Sequence, residues 1–186
     1  MKKYLLPIMV LAVVSFSSCG DSAEKTDTTE VAEEANENKF NDKMEKDYEF
    51  VIEAASGGLM EVELGKLAAA NAASAEVKRF ASQMVTDHTK ANEELKTLAA
   101  SKNITIPAAP GEDHMKHIND LREKKGADFD KAYMSLMVDD HQEDVNKFEE
   151  QGNNGNDPEI KAFAAGKVAT LKQHHEMAKT LNDKLK

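Results

Sequence analysis

The 186-residue chain contains one cysteine, Cys19, no tryptophan and four prolines. A single thiol cannot close an internal disulfide, and it cannot build a Cys-based zinc site or an iron–sulfur cluster. Aromatic residues are only 5% of the total, and runs of β-branched residues are few. The common residues are Ala, Lys, Glu, Leu and Met, all good helix formers, so an all-α fold is expected. Positive charge is also short: the formal charge is −10, with no basic stripe. That excludes phosphate-backbone binding to nucleic acid and polybasic attachment to anionic lipid. Neither a phosphate-cradling glycine loop nor a nucleophile elbow is present. Di-iron bundles need Glu-x-x-His on two helices. The residues three before His88, His141 and His174 are Val85, Val138 and Leu171. A ferroxidase or oxygenase is therefore not expected, and neither is any other enzyme.

Long hydrophobic runs are absent except at the N-terminus. Lys2 and Lys3 precede the apolar stretch YLLPIMVLAVVSF, which is too short to span a bilayer unaided. Small residues then lead into SFSSCG, so residues 1–18 read as a signal peptide. The segment resembles a bacterial lipobox, with Phe16 where Leu is usual. This resemblance implies cleavage before Cys19, lipidation of Cys19, and a chain exported to the cell envelope. The anchor would hold it to a membrane, with the outer membrane or periplasm as the expected location. Residues 19–43 are acidic and poor in large apolar side chains, so a flexible tether is expected there. A helix around TTEVAEEANENKF is the alternative.

From residue 44 to 186 the apolar spacing becomes helical. A long helix begins near Met44, with Gly57 and Gly58 in its middle. Two glycines cost about 1 kcal/mol each relative to alanine, and close approach of another helix would explain them. Ser74 is a suitable N-cap for a second helix. ITIPAAPG breaks it, and EDHMKHINDLREKKG reads as a short helix within the connection. A third helix opens near Asp128, and Asp157-Pro158 starts a fourth. Four long amphipathic helices, with a short extra helix between the second and third, define an antiparallel four-helix bundle.

The segments FASQMVTDHTKANEEL and YMSLMVDDHQEDVNKF share a pattern offset by 53 residues, and each puts a histidine in its apolar stripe. His88, His141 and His174 all sit where leucine would serve stability better. An unpaired buried imidazole costs about 1–3 kcal/mol. Their partners could be one another, a carboxylate, water or a metal ion. Glu61 is the matching polar residue on the first helix. Met84 and Met137 precede His88 and His141 by four residues and share their helix faces. A Met and His set suits Cu(I), whereas imidazole with carboxylate suits zinc, iron or nickel. A hydrogen-bonded polar core without metal is the rival reading. Asp87 and Asp140 are turned about 100° from these histidines, where each faces solvent or a groove and could orient an imidazole on a neighbouring helix. His114 and His117 read as a solvated face, and His175 could face either way.

Four segments carry a family resemblance: FVIEAASGGLMEVELGKLA, VKRFASQMVTDHTKANEEL, FDKAYMSLMVDDHQEDVNKFE and DPEIKAFAAGKVATLKQHHEMA. Together they resemble the bacterial "domain of unknown function 4142" family. The resemblance implies a ferritin-like bundle and an exported protein, with Glu61, His88, His141 and His174 on the family's recurrent polar positions. It implies no substrate. The functional expectation is an exported lipoprotein that binds a metal or small ligand inside its bundle. An interaction module with an envelope partner, or a metal-dependent redox enzyme, are the alternatives.

Overall fold

The computed structural model describes residues 27–186. The expected signal peptide and Cys19 therefore lie outside the described residues. The described chain forms six helices: α1 (Thr28–Glu37), α2 (Glu45–Asn71), α3 (Ala75–Ser101), α4 (Glu112–Arg122), α5 (Gly126–Asn154) and α6 (Pro158–Leu185). Helices α2 and α3 form one hairpin and α5 and α6 another; α2 also packs on α5, and α3 on α6. The Asp130 carboxylate, near the start of α5, accepts from the backbone N–H of Ala73 and Ser74 at the end of α2. Thus α2 ends where α5 begins, and neighbouring long helices run antiparallel. The crossover carrying α4 returns the chain from the end of α3 to the start of α5.

Local chemistry sets the helix starts. The Ser74 hydroxyl accepts from Glu76 and Val77 N–H, and the Asp157 carboxylate from Glu159 and Ile160 N–H ahead of Pro158. Gly58 and Gly65 let α2 approach α3: a Cβ would lie 2.1 Å from Asn92 Oδ1 at Gly58 and 2.9 Å from the Ala81 carbonyl oxygen at Gly65. Gly57 has no such neighbour, its nearest being His114 at 3.8 Å.

The two hairpins are related by an internal repeat. Asp47 and Asp130 are 83 residues apart, as are Ser74 and Asp157. Asp47 accepts from Asn156 and Asp157 N–H in the α5–α6 turn, while Asp130 does the same for the α2–α3 turn. Each half thus clamps the turn of the other. VKRFA at Val77 and IKAFA at Ile160 keep the same register. The 53-residue echo has a different origin. Helices α3 and α5 are diagonal and parallel and start at the same end, so similar segments bring His88 and His141 to similar depth.

The tether expected over residues 19–43 is corrected from residue 28 onward. Helix α1 packs on α2 with Ala32 buried. The Asn36 amide donates to the Thr105 carbonyl and accepts from Thr105 N–H, both at 2.8 Å. Asp27 caps α1 and also accepts from Glu112 N–H, the first residue of α4. Polar side chains bonded to backbone thus replace the missing apolar face, which hydropathy could not reveal. Among the described residues no helix is long and apolar enough to cross a membrane.

The apolar core divides into an upper and a lower part. The upper cluster takes Met60 and Leu64 from α2, Phe80 and Met84 from α3, Met134 and Met137 from α5, and Ala178 from α6. The lower clusters take Ile52 and Ala55, then Leu95, then Val145 and Phe148, then Ile160 and Leu171 from the same four helices. On every long helix the change of cluster falls beside Glu61, His88, His141 or His174. A polar layer therefore crosses the bundle at one level.

Candidate metal centre

Each long helix supplies one member of this layer. Glu61, His141 and His174 are at most 1% exposed, and His88 is buried at 6%. The three imidazole centroids form a near-equilateral triangle, with separations of 5.6, 5.4 and 5.4 Å. Each ring offers one nitrogen, and these three lie within 4.8 Å of one another.

One nitrogen of each ring is already engaged. His88 Nδ1 is 2.5 Å from Glu61 Oε2, a separation that requires a proton between them. His141 Nδ1–H donates to the Met137 carbonyl at 3.0 Å. His174 Nε2–H donates to Asp87 Oδ2 at 2.9 Å. The Met137 carbonyl and the Asp87 carboxylate fix the tautomers of His141 and His174, and an ionised Glu61 fixes that of His88; in that state His88 Nε2, His141 Nε2 and His174 Nδ1 are bare lone-pair donors. All three are buried without a hydrogen-bond partner in the protein. Fixing one ring nitrogen by carboxylate or carbonyl so that the other can ligate is the usual support of metal-binding histidines.

The layer also contains carboxyls. Asp140 lies beside Glu61, with an oxygen of each within 4.8 Å of the other, and Glu61 Oε1 is 3.3 Å from His141 Nε2. Asp144, which occupies the same place in the second hairpin as Glu61 in the first, is half-buried and feels the Glu61 charge. Among the described residues no lysine or arginine forms an ion pair with any of the three. A cavity of about 160 Å³ adjoins the layer, lined in part by Asp87, His88, Asp144, Lys167, Leu171 and His174.

Burial sets the protonation of these groups. It pushes the Glu61 carboxyl up to about 8, against the adjacent Asp140 carboxyl, which lowers it. Burial, then the Glu61 charge, push Asp144 up to about 8. Asp140 is held well above the carboxylate range by burial and by Glu61. Burial lowers His88 to about 4 and holds His141 well below its ordinary value. It also lowers His174, with the Asp87 bond acting in the opposite sense.

Opposite pH dependences follow for the metal-free chain. The raised carboxyls favour the folded state at low pH, and their contribution is lost as pH rises from the unfolded carboxylate range to about 8. The lowered histidines cost stability as pH falls from 6.5 towards about 4. Above 6.5 only the carboxyls act. The melting temperature in chelator, followed by circular dichroism, is expected to fall between about pH 6.5 and 8. A rise over that interval would contradict the carboxyl assignment.

The residues singled out in the sequence divide by location. Glu61, His88, His141 and His174 come together. Met84 and Met137 are fully buried in the upper apolar cluster with Phe80 and Tyr133, and what Met137 gives the layer is its carbonyl. Asp87 reaches across to a neighbouring helix to hold His174, whereas Asp140 turns inward to Glu61. His114 Nδ1 lies 2.6 Å from Ser56 Oγ, and His114 is half-buried rather than solvated. His117 is exposed. Asp144 and Tyr133 were not distinguished by the sequence pattern. The 83-residue register, which pairs Asp144 with Glu61, is the signal that finds the former.

A bundle crossed by a histidine and carboxylate layer is thus the class of protein defined by the fold and the site. Residues 29–181 match the family described as Domain of unknown function (DUF4142), and the chain belongs to that family. Among solved structures it is similar to the "putative secreted protein DUF305 from Streptomyces coelicolor", with a TM-score of 0.64 and 15% identity. That similarity covers 75% of this chain and 92% of the other, and it shows the shared all-α bundle. No curated protein sequence matches the chain.

Proposed function

We propose that the protein is an exported metal-binding bundle in which His88, His141 and His174 hold one transition-metal ion. Binding, rather than turnover, is the function assigned. The observation that carries this reading is the convergence of three bare imidazole nitrogens whose opposite nitrogens are pinned by Glu61, the Met137 carbonyl and Asp87. Three lone pairs facing one another in a buried layer repel, and a cation relieves that repulsion. An all-imidazole set suits zinc, copper, nickel or iron. Glu61, a ligand candidate by sequence, here orients His88.

Export is supported by the leader-like N-terminus and by the similar structure of a putative secreted protein. Lipidation at Cys19 would then tether the bundle to an envelope membrane, where metal handling or stress protection is the role proposed.

The test is calorimetric titration of chelator-treated, tag-free protein with Zn²⁺, Ni²⁺, Fe²⁺ and copper. Tight binding of at least one ion is expected, weakened at least about 100-fold in the His88→Ala/His141→Ala double variant. Absence of tight binding, or a double variant that binds like the wild type, rejects the proposal.

A further inference from the structure

The histidine triangle does not use all of the unsatisfied groups. Among the described residues six buried side-chain atoms lack a hydrogen-bond partner: three are the imidazole nitrogens, and the others are Glu61 Oε1, Asp140 Oδ2 and the Tyr133 hydroxyl. Leaving such atoms unpaired is costly. Among the described residues the donors fall into two sets, His88 with His141 and His174, and Glu61 with Asp140 and His141. In each set the ligand atoms lie within 4.8 Å of one another, and the sets share only His141. A single ion therefore does not gather them all.

We propose that the layer contains a second cation subsite, built on the Glu61 and Asp140 carboxylates with His141 at its edge, for a hard divalent ion such as Mn²⁺. The inference rests on the histidine site as its neighbour. Glu61 lies between the two subsites: Oε2 holds His88 for the first, and Oε1 faces the second. One lone pair on His141 Nε2 serves one ion at a time. With both subsites filled, His141 completes the triangle and the second ion rests on Glu61, Asp140 and solvent. The Tyr133 hydroxyl, which feels the charges of both carboxyls, stands alongside. Oxygen donors select a harder ion than the imidazole set does, so the two subsites differ in preference.

The acid cluster alone would carry no such inference. What carries it is that Glu61 and His141, each at least 99% buried, point unpartnered atoms into the same space.

The experiment titrates the purified full-length chain with Co²⁺, read by visible absorption, and with Mn²⁺, read by loss of the free-ion paramagnetic signal. Wild type is expected to take two equivalents of Co²⁺. Asp140→Asn should take one and keep the histidine-site absorption, while its Mn²⁺ affinity falls at least ten-fold. His174→Ala should keep Mn²⁺ affinity within about two-fold, a change near 0.4 kcal/mol. One equivalent of Co²⁺ in the wild type overturns the second subsite and leaves the histidine site standing. So does unchanged Mn²⁺ binding in a folded Asp140→Asn variant. Absence of any Co²⁺ binding overturns both. Tyr133→Phe provides a variant without loss of charge, should Asp140→Asn fail to fold. A Mn²⁺ affinity that it leaves unchanged, or no stoichiometric Mn²⁺ binding by the wild type, also overturns the proposal.

Discussion

His141→Leu is expected to do two things that an ordinary core substitution would not do together. It should weaken transition-metal binding at least about 100-fold, and it should raise the melting temperature of the metal-free chain. The first effect follows because His141 supplies one of the three bare nitrogens of the histidine layer. The second follows from what the imidazole costs when no ion is present. His141 is fully buried, its Nε2 has no partner in the protein, and it faces a carboxyl oxygen at 3.3 Å. Leucine removes that unpaired atom and extends the upper apolar cluster that ends at Met137. The lost Nδ1–H bond to the Met137 carbonyl is a smaller matter, since a helix carbonyl also accepts from the N–H four residues on. A net gain of about 1–2 kcal/mol is expected, which is about 3–6 °C for a chain of this size. Thermal melts in chelator, paired with calorimetry, measure both. A variant that loses stability in chelator would favour a polar core whose histidines serve the fold itself.

The second large effect lies far from the metal layer. Asp47→Ala is expected to destabilise the chain by about 3 kcal/mol, lowering the melting temperature by about 6–12 °C. Asp47 is fully buried. Its carboxylate accepts from Gln151 Nε2 at 2.5 Å, from Asn156 N–H at 3.0 Å and from Asp157 N–H at 2.8 Å. Alanine would strand three donors, the Gln151 amide at the end of α5 and two backbone N–H groups in the α5–α6 turn. Bonds to a charged acceptor are worth more than neutral ones, and the stranded groups add their desolvation cost. Asp130→Ala should act likewise, since Asp130 clamps the α2–α3 turn from the opposite hairpin. Denaturant melts of both variants test the reciprocal-clamp reading. A loss below about 1 kcal/mol at both positions would contradict it.

These clamps show where sequence reading succeeds and where it stops. Helix starts at Ser74 and Asp157-Pro158 were legible because capping is local chemistry. The bundle was legible from its 3.6-residue apolar period. The histidine layer was legible because three imidazoles interrupt otherwise apolar stripes. Helix α1 was legible only as the alternative to a tether, because its anchor is an amide paired with distant backbone, Asn36 with Thr105. The role of Asp47 was hidden for the same reason: its partners are more than 100 residues away. Asp144 looks like a solvated charge in a one-dimensional reading, and Asp140 like a residue facing solvent or a groove. Only the crossing of α2 and α5 brings them to Glu61. The 83-residue repeat survives mainly in two caps, two clamps and one short apolar motif, too little to stand out before the hairpins are paired.

The histidine site makes one demand that other polar cores do not: a bound ion must see three imidazoles. X-ray absorption at the metal edge of the zinc- or cobalt-loaded chain reads this directly. The account predicts an inner shell dominated by nitrogen, with the outer-shell scattering of about three imidazole rings, lost in the His88→Ala/His141→Ala variant. An inner shell of oxygen alone, unchanged in that variant, would place the ion on surface carboxylates and contradict the account.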